Sequence, residues 1–100
     1  MLNQVILVGT AMNVLDAQHQ ENGRLKLFFD LMISKFDDLE NPDTSIITLS
    51  VEDDMALVCS EFLKFGATVG IKGYITATDN VISVKVDKLT FLSTTEDNDN

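Results

Sequence analysis

The chain has 100 residues, 45% of them hydrophobic, and a formal net charge of −9. That length makes one domain with a modest core. A single cysteine, Cys59, excludes an intrachain disulfide, and no apolar run approaches the roughly 18 residues of a transmembrane helix.

Met1–Gly9 is a short apolar run ended by glycine, without helical spacing, and reads as a strand buried on both faces. It is too short and lacks the basic start of a signal peptide, so a cytoplasmic protein is expected. Thr10 to Gln20 is a mixed extended stretch, and Glu21-Asn22-Gly23 carries the Asn-Gly hairpin signal. The next strand alternates: Leu25, Leu27, Phe29, Leu31 and Ile33 on one face, Lys26, Phe28, Asp30, Met32 and Ser34 on the other. Asp37 to Ser45 is a polar loop, and Ile46 to Val51 a third strand.

From Glu52 to Phe65 the period changes. Met55, Val58, Cys59, Phe62 and Leu63 form the stripe of an amphipathic helix near residues 53–65. Acidic residues at its start suit the dipole, one aspartate is placed to cap, and Gly66 is placed to end it. Phe29, Phe62 and Phe91 are expected in the core. Thr68 to Ala77 is a strand, Thr78-Asp79-Asn80 a tight turn and Val81 to Leu92 the last strand, with a bulge at Asp87-Lys88. The fold expected is all-β: an OB-fold, a five-stranded barrel with one α-helix between strands 3 and 4. It fills residues 1–92, and residues 93–100 form a short acidic disordered tail.

Three stretches carry a family likeness: Met1-Leu2-Asn3-Gln4-Val5-Ile6-Leu7-Val8-Gly9, then Phe62-Leu63-Lys64-Phe65-Gly66 with Val69-Gly70-Ile71-Lys72-Gly73, then Val86-Asp87-Lys88-Leu89-Thr90-Phe91-Leu92. In this order and spacing the chain resembles the bacterial single-stranded DNA-binding proteins. The resemblance implies binding of single-stranded DNA by base stacking and phosphate neutralisation. It also implies a homo-oligomer, dimer or tetramer, formed through the Met1–Gly9 strand. The high apolar content fits such an interface, or a well-filled barrel alone.

Several positions depart from the family pattern. Gln4 and Thr10 stand where bases are usual, Ile46 and Glu52 align with aromatics, and Asp53-Asp54 take a basic position. The long basic hairpin is reduced to Thr78-Asp79-Asn80, and the short tail has no apolar tip for recruiting partners. The remaining candidates for nucleic-acid binding are Arg24, Lys26, Phe28, Lys35, Phe36, Lys72, Tyr74 and Lys85. The aromatics among them either stack bases or pack against protein, and the lysines either hold phosphates or form a solvated face.

Negative charge is concentrated. Residues 37–61 carry eight acids and no base, whereas residues 62–92 hold Lys64, Lys72, Lys85 and Lys88 against Asp79 and Asp87. The ends of the domain can therefore present a neutral or weakly basic surface.

Enzymatic readings find no support. His19 is the only histidine and reads as a solvated loop residue; Cys59 lies on the helix stripe and reads as buried. Asp37, Asp38, Glu40 and Asp43 lack EF-hand spacing, and no zinc or nucleotide motif is present. No catalytic residue, metal, cofactor, small-molecule substrate or membrane is expected. Two readings stand: a single-stranded DNA-binding protein of the replication, recombination and repair type without sequence preference, binding weakly to moderately, or a family descendant with a degraded groove acting as an oligomeric protein-interaction module.

Overall fold

The computed structural model describes residues 2–35 and 43–93. Its elements are β1 (Val5–Met12), β2 (Gln18–His19), β3 (Leu25–Lys35), β4 (Asp43–Glu52), α1 (Asp53–Phe62), β5 (Thr68–Thr78) and β6 (Val81–Ser93). β2 is two residues long and, among the described residues, pairs only with β3. The five long strands close a ring, β1-β5-β6-β4-β3, with β3 returning to β1. Among the long strands the helix falls between the third and the fourth. This is the OB-fold architecture read from the sequence.

The alternation of β3 builds the core. Leu27, Phe29 and Leu31 point inward with Leu49, Val51, Val69 and Val84, all essentially without solvent contact. Truncating Phe29 to alanine should cost about 3–5 kcal/mol, a large part of a domain's roughly 5–15 kcal/mol stability. β1 closes the ring by changing partner: Val5–Thr10 pair with β5, and Thr10–Met12 pair with β3. Gly9 stands at that change, where an added Cβ would collide with the Met32 backbone carbonyl.

On the other side, β4 and β6 meet in parallel at Leu49–Val84 and Ser50–Lys85. The expected bulge is present: pairing shifts between Lys72 and Gly73, which leaves Asp87 without a partner. Gly73 allows the close approach there, since a Cβ would strike the Lys85 carbonyl. Asp79 and Asn80 both have positive φ, as a two-residue type I′ hairpin requires.

Four local expectations are corrected. β1 is not buried on both faces of the chain: Ile6 is 70% and Val8 59% exposed. Phe62 and Val58 are not core residues; they are 58% and 45% exposed. The helix instead turns Ala56 and Cys59 inward, and these small side chains let it lie close against β3 and β4. No aspartate caps it, because Asp53 turns its carboxylate to Arg24 and adopts a φ of 55° that an Asp tolerates. Gly66 does not end the helix either. The chain is already extended at Leu63, and Gly66, at φ 94°, serves a turn closed by Ala67 N–H donating to the Lys64 carbonyl.

Smaller differences concern boundaries. His19 lies in β2, not in a loop, and β6 runs one residue past the expected limit, to Ser93. Asp43 opens β4, while Phe36 to Pro42 and the tail from Thr94 onward lie outside the described residues.

Candidate nucleic-acid interface

The outer face of β3, β4, β6 and β5 gathers four of the eight candidate residues. Phe28 pairs with Ser50, Ser50 with Lys85, and Lys85 with Tyr74. One row therefore crosses four adjacent strands, and at about 4.8 Å between strands it spans roughly 14 Å. The period-2 pattern of each strand fixes this, since each named residue is the outward neighbour of a core residue: Leu27, Leu49, Val84 and Gly73. Lys26 stands beside the row on β3, its ammonium 5.5 Å from the centroid of the Phe28 ring. Phe28 remains 37% exposed.

A groove of about 360 Å³ runs here, lined by Lys26, Phe28, Ser50, Thr76, Ser83 and Lys85, with Thr78 and Val81 at its end. Thr76 and Ser83 share a hydroxyl hydrogen bond of 3.2 Å on its floor. Donors, a phenyl ring and two ammonium groups thus converge on one concave strip. Its chemistry suits a chain of phosphates carrying flat, apolar rings.

Glu52 governs the electrostatics. It pairs with Lys26 across the ladder, and its carboxylate lies 3.7 Å from Lys26 Nζ and 3.1 Å from Lys85 Nζ. The hydrogen bond to Glu52 raises the Lys85 pKa above its ordinary value. Arg24 is engaged in turn: its guanidinium donates to Asp53 Oδ2 at 2.7 and 3.2 Å. The hydrogen bond from Arg24 lowers the Asp53 pKa, and the same bond raises that of Arg24. On the far side of Phe28, Asp30 accepts from Asn13 and Thr48 at 3.0 and 2.9 Å. Carboxylates therefore flank the basic strip at both ends.

The remaining candidates separate. Lys72 shares the outer face of β5 with Tyr74 but lies beyond the bulge, paired with Lys88. Lys35 holds the register position opposite Asp43, seven residues along β3 from Phe28, or about 23 Å. It is not brought to the cluster. Phe36 lies outside the described residues. Sequence reasoning missed Lys88, Thr76 and Ser83. The bulge at Asp87, legible in the sequence, was the signal that puts Lys88 opposite Lys72.

No protein-family model matches the chain, and no curated protein matches it in sequence. Among solved structures it is similar to the protein priB from Ralstonia solanacearum, with a TM-score of 0.77. The match covers 91% of this chain and 99% of that one at 16% identity. At that identity the likeness establishes a shared fold.

Proposed function

We propose that the protein binds single-stranded DNA without sequence preference across the outer row Phe28–Ser50–Lys85–Tyr74, with Lys26, Lys72 and Lys88 beside it. The observation that carries this reading is the convergence of a partly exposed phenyl ring and two lysines in one groove on the sheet face, with Tyr74 paired to Lys85 on the next strand. OB-folds commonly use this face for oligonucleotides. Stacking needs only a π-face on each base, which gives affinity without sequence readout. The resemblance to the single-stranded DNA-binding proteins and the fold shared with priB support the same reading. We also place it in the cytoplasm and assign it a role in replication, recombination or repair.

Affinity per subunit is low on this reading. Glu52 offsets part of the charge of Lys26 and Lys85, and two aromatics supply about 1–3 kcal/mol each. The apolar outer face of β1, with Ile6 and Val8 exposed, joins subunits and places several grooves along one strand.

Fluorescence anisotropy with labelled oligo-dT at low and moderate salt tests the proposal. Phe28→Ala and Tyr74→Ala should each weaken binding about 5- to 150-fold. Lys26→Ala and Lys85→Ala should flatten the salt dependence by roughly 0.7 in log–log slope for each phosphate no longer neutralised. No binding at low salt, or binding indifferent to Phe28 and Tyr74, would falsify it and leave the protein-interaction module as the reading.

A further inference from the structure

The bulge in β6 decides where three lysines point. Lys85 and Lys88 are three residues apart, and an unbroken strand would put them on opposite faces. The pairing passes from Gly73–Val86 to Lys72–Lys88, with Asp87 as the inserted residue. Val84 and Val86 are buried before it, and Leu89 and Phe91 pack against the core after it. Lys85 and Lys88 therefore share the outer face, since a bulge re-aims the side chains that follow it. Their ladder partners Tyr74 and Lys72, two residues apart on β5, are on that face too. Along the hairpin the outward pairs run Thr76–Ser83, Tyr74–Lys85, Lys72–Lys88 and Gly70–Thr90. Each step along β5 is about 6.6 Å, so this track covers roughly 20 Å.

Lys72 and Lys88 are its uncompensated part. As directly opposed residues their Cβ atoms are about 5 Å apart, an arrangement that like charges disfavour. Among the described residues no carboxylate lies within salt-bridge distance of either, whereas Glu52 holds Lys26 and Lys85, and Asp53 holds Arg24. Asp87 is the one acid in β5 and β6, and the bulge leaves it outside the ladder. Both lysines are exposed. With Gly70 and Thr90 they line a depression of about 270 Å³ whose far wall is Ile6 and Val8 of β1. Two opposed ammonium groups without a counter-ion attract an anion more strongly than two that share a carboxylate.

We infer, resting on the DNA-binding reading above, that the single strand in the groove turns at Tyr74–Lys85 and continues along the outer face of β5 and β6, where Lys72 and Lys88 together hold its phosphodiester backbone as the main ionic contact of the domain. Continuity with the groove through the Tyr74–Lys85 pair selects nucleic acid over an acidic peptide. The track ends beside the β1 strip, so the strand leaves each subunit next to the proposed seam with its neighbour.

Labelled oligo-dT of about 16 nucleotides, the upper end of what one OB domain occupies, tests this in anisotropy titrations of the full chain. Lys72→Gln with Lys88→Gln should weaken binding at least tenfold at low salt and flatten the log–log salt slope by roughly 1.4, about 0.7 for each phosphate released. Lys72→Arg with Lys88→Arg should preserve affinity and slope. Lys64→Glu, an equal change in net charge at the end of the helix, should leave the affinity within twofold. Because both lysines are exposed, circular dichroism should show the glutamine variant folded. A photo-crosslinker on Thr90→Cys should couple to the bound strand, and one on Leu57→Cys, on the helix, should not; Cys59 is buried and stays unlabelled. An equal loss in Lys64→Glu overturns the inference by reducing the effect to net charge. So does an unchanged slope, or no coupling at Thr90, in a chain whose binding Phe28→Ala still weakens; the groove then stands without the track. Displacement by poly-glutamate as effective as by unlabelled oligo-dT overturns it in favour of an acidic partner. Oligo-dT that does not bind the native chain at low salt overturns groove and track together.

Discussion

Replacing Glu52 with glutamine should convert a weak DNA groove into a stronger one. The carboxylate lies within 4 Å of two ammonium groups, Lys26 at 3.7 Å and Lys85 at 3.1 Å. The trio therefore carries one net positive charge, and Glu52→Gln raises it to two at almost constant shape. A phosphate about 5 Å from the lost charge is relieved of roughly 0.8 kcal/mol of repulsion at the dielectric of water, and about 3 kcal/mol at an effective dielectric near 20. The groove is open and the lysines are partly solvated, so a gain of about 1–2 kcal/mol is expected, or roughly 5- to 30-fold at low salt. The log–log salt slope should steepen by about 0.7 if one more phosphate is neutralised. Stability should change by no more than about 1 kcal/mol, since partly exposed ion pairs contribute little. Anisotropy titrations with oligo-dT at several salt concentrations, beside urea unfolding of the same variant, read both effects. Unchanged affinity and slope would show that no phosphate passes this end of β4. Weaker binding would show that the carboxylate positions its lysines for the ligand. Glu52→Phe should add stacking to the same relief and tighten binding further.

Ile6→Asp with Val8→Asp should lower the mass seen by light scattering toward that of one chain, 11.1 kDa; a native protein that already scatters as one chain would refute assembly through β1. Gly73→Ala should destabilise by at least about 1–3 kcal/mol in urea unfolding, because its Cβ meets the Lys85 backbone carbonyl and not a movable side chain. Burial pushes the Cys59 thiol from 9.0 up to about 11, so the folded state holds that proton more tightly than the unfolded chain. Its contribution to stability is complete below the unfolded value and is lost as pH rises through the folded one, by up to roughly 2–3 kcal/mol. Unfolding measured on both sides of that window should show this loss in the native protein and not in Cys59→Ala.

The barrel was legible because its signals are local and repeated. The alternation of Leu25 to Ile33 sorts inner from outer residues, and it returns in the structure with Leu27, Phe29 and Leu31 buried. The Asn22-Gly23 turn and the unpaired Asp87 were likewise visible as turn and phase signals. The helix face was not. Periodicity alone selected the large residues Val58 and Phe62, whereas the structure buries Ala56 and Cys59. A hydrophobicity pattern cannot tell a helix that fills a gap from one drawn close by small residues. The site was half legible. Parity placed Lys26 and Phe28 together, but the meeting of Lys85 with Glu52 depends on the parallel contact between β4 and β6, a long-range register that no local pattern encodes. The distance of Lys35 from the cluster follows from strand length, which the sequence read too short at the start of β4.

Net charge is a poor guide to what this groove binds, because the acids beside it are engaged locally. Glu52 and Asp53 each face a base within salt-bridge distance, and Asp30 is occupied by Asn13 and Thr48. The paired acids lower the positive potential of the groove without removing its lysines, and such pairs are weak enough to exchange for a phosphate. A groove of this kind binds poorly alone and improves steeply when several act together, since a linked second site sees its ligand at an effective concentration far above that in solution. On the proposed function, assembly and DNA binding are one property: the apolar strip of β1 would multiply a groove that single subunits hold only weakly. An OB domain that kept the groove and lost the strip would need further stacking aromatics, about 1–3 kcal/mol each, to reach the same affinity.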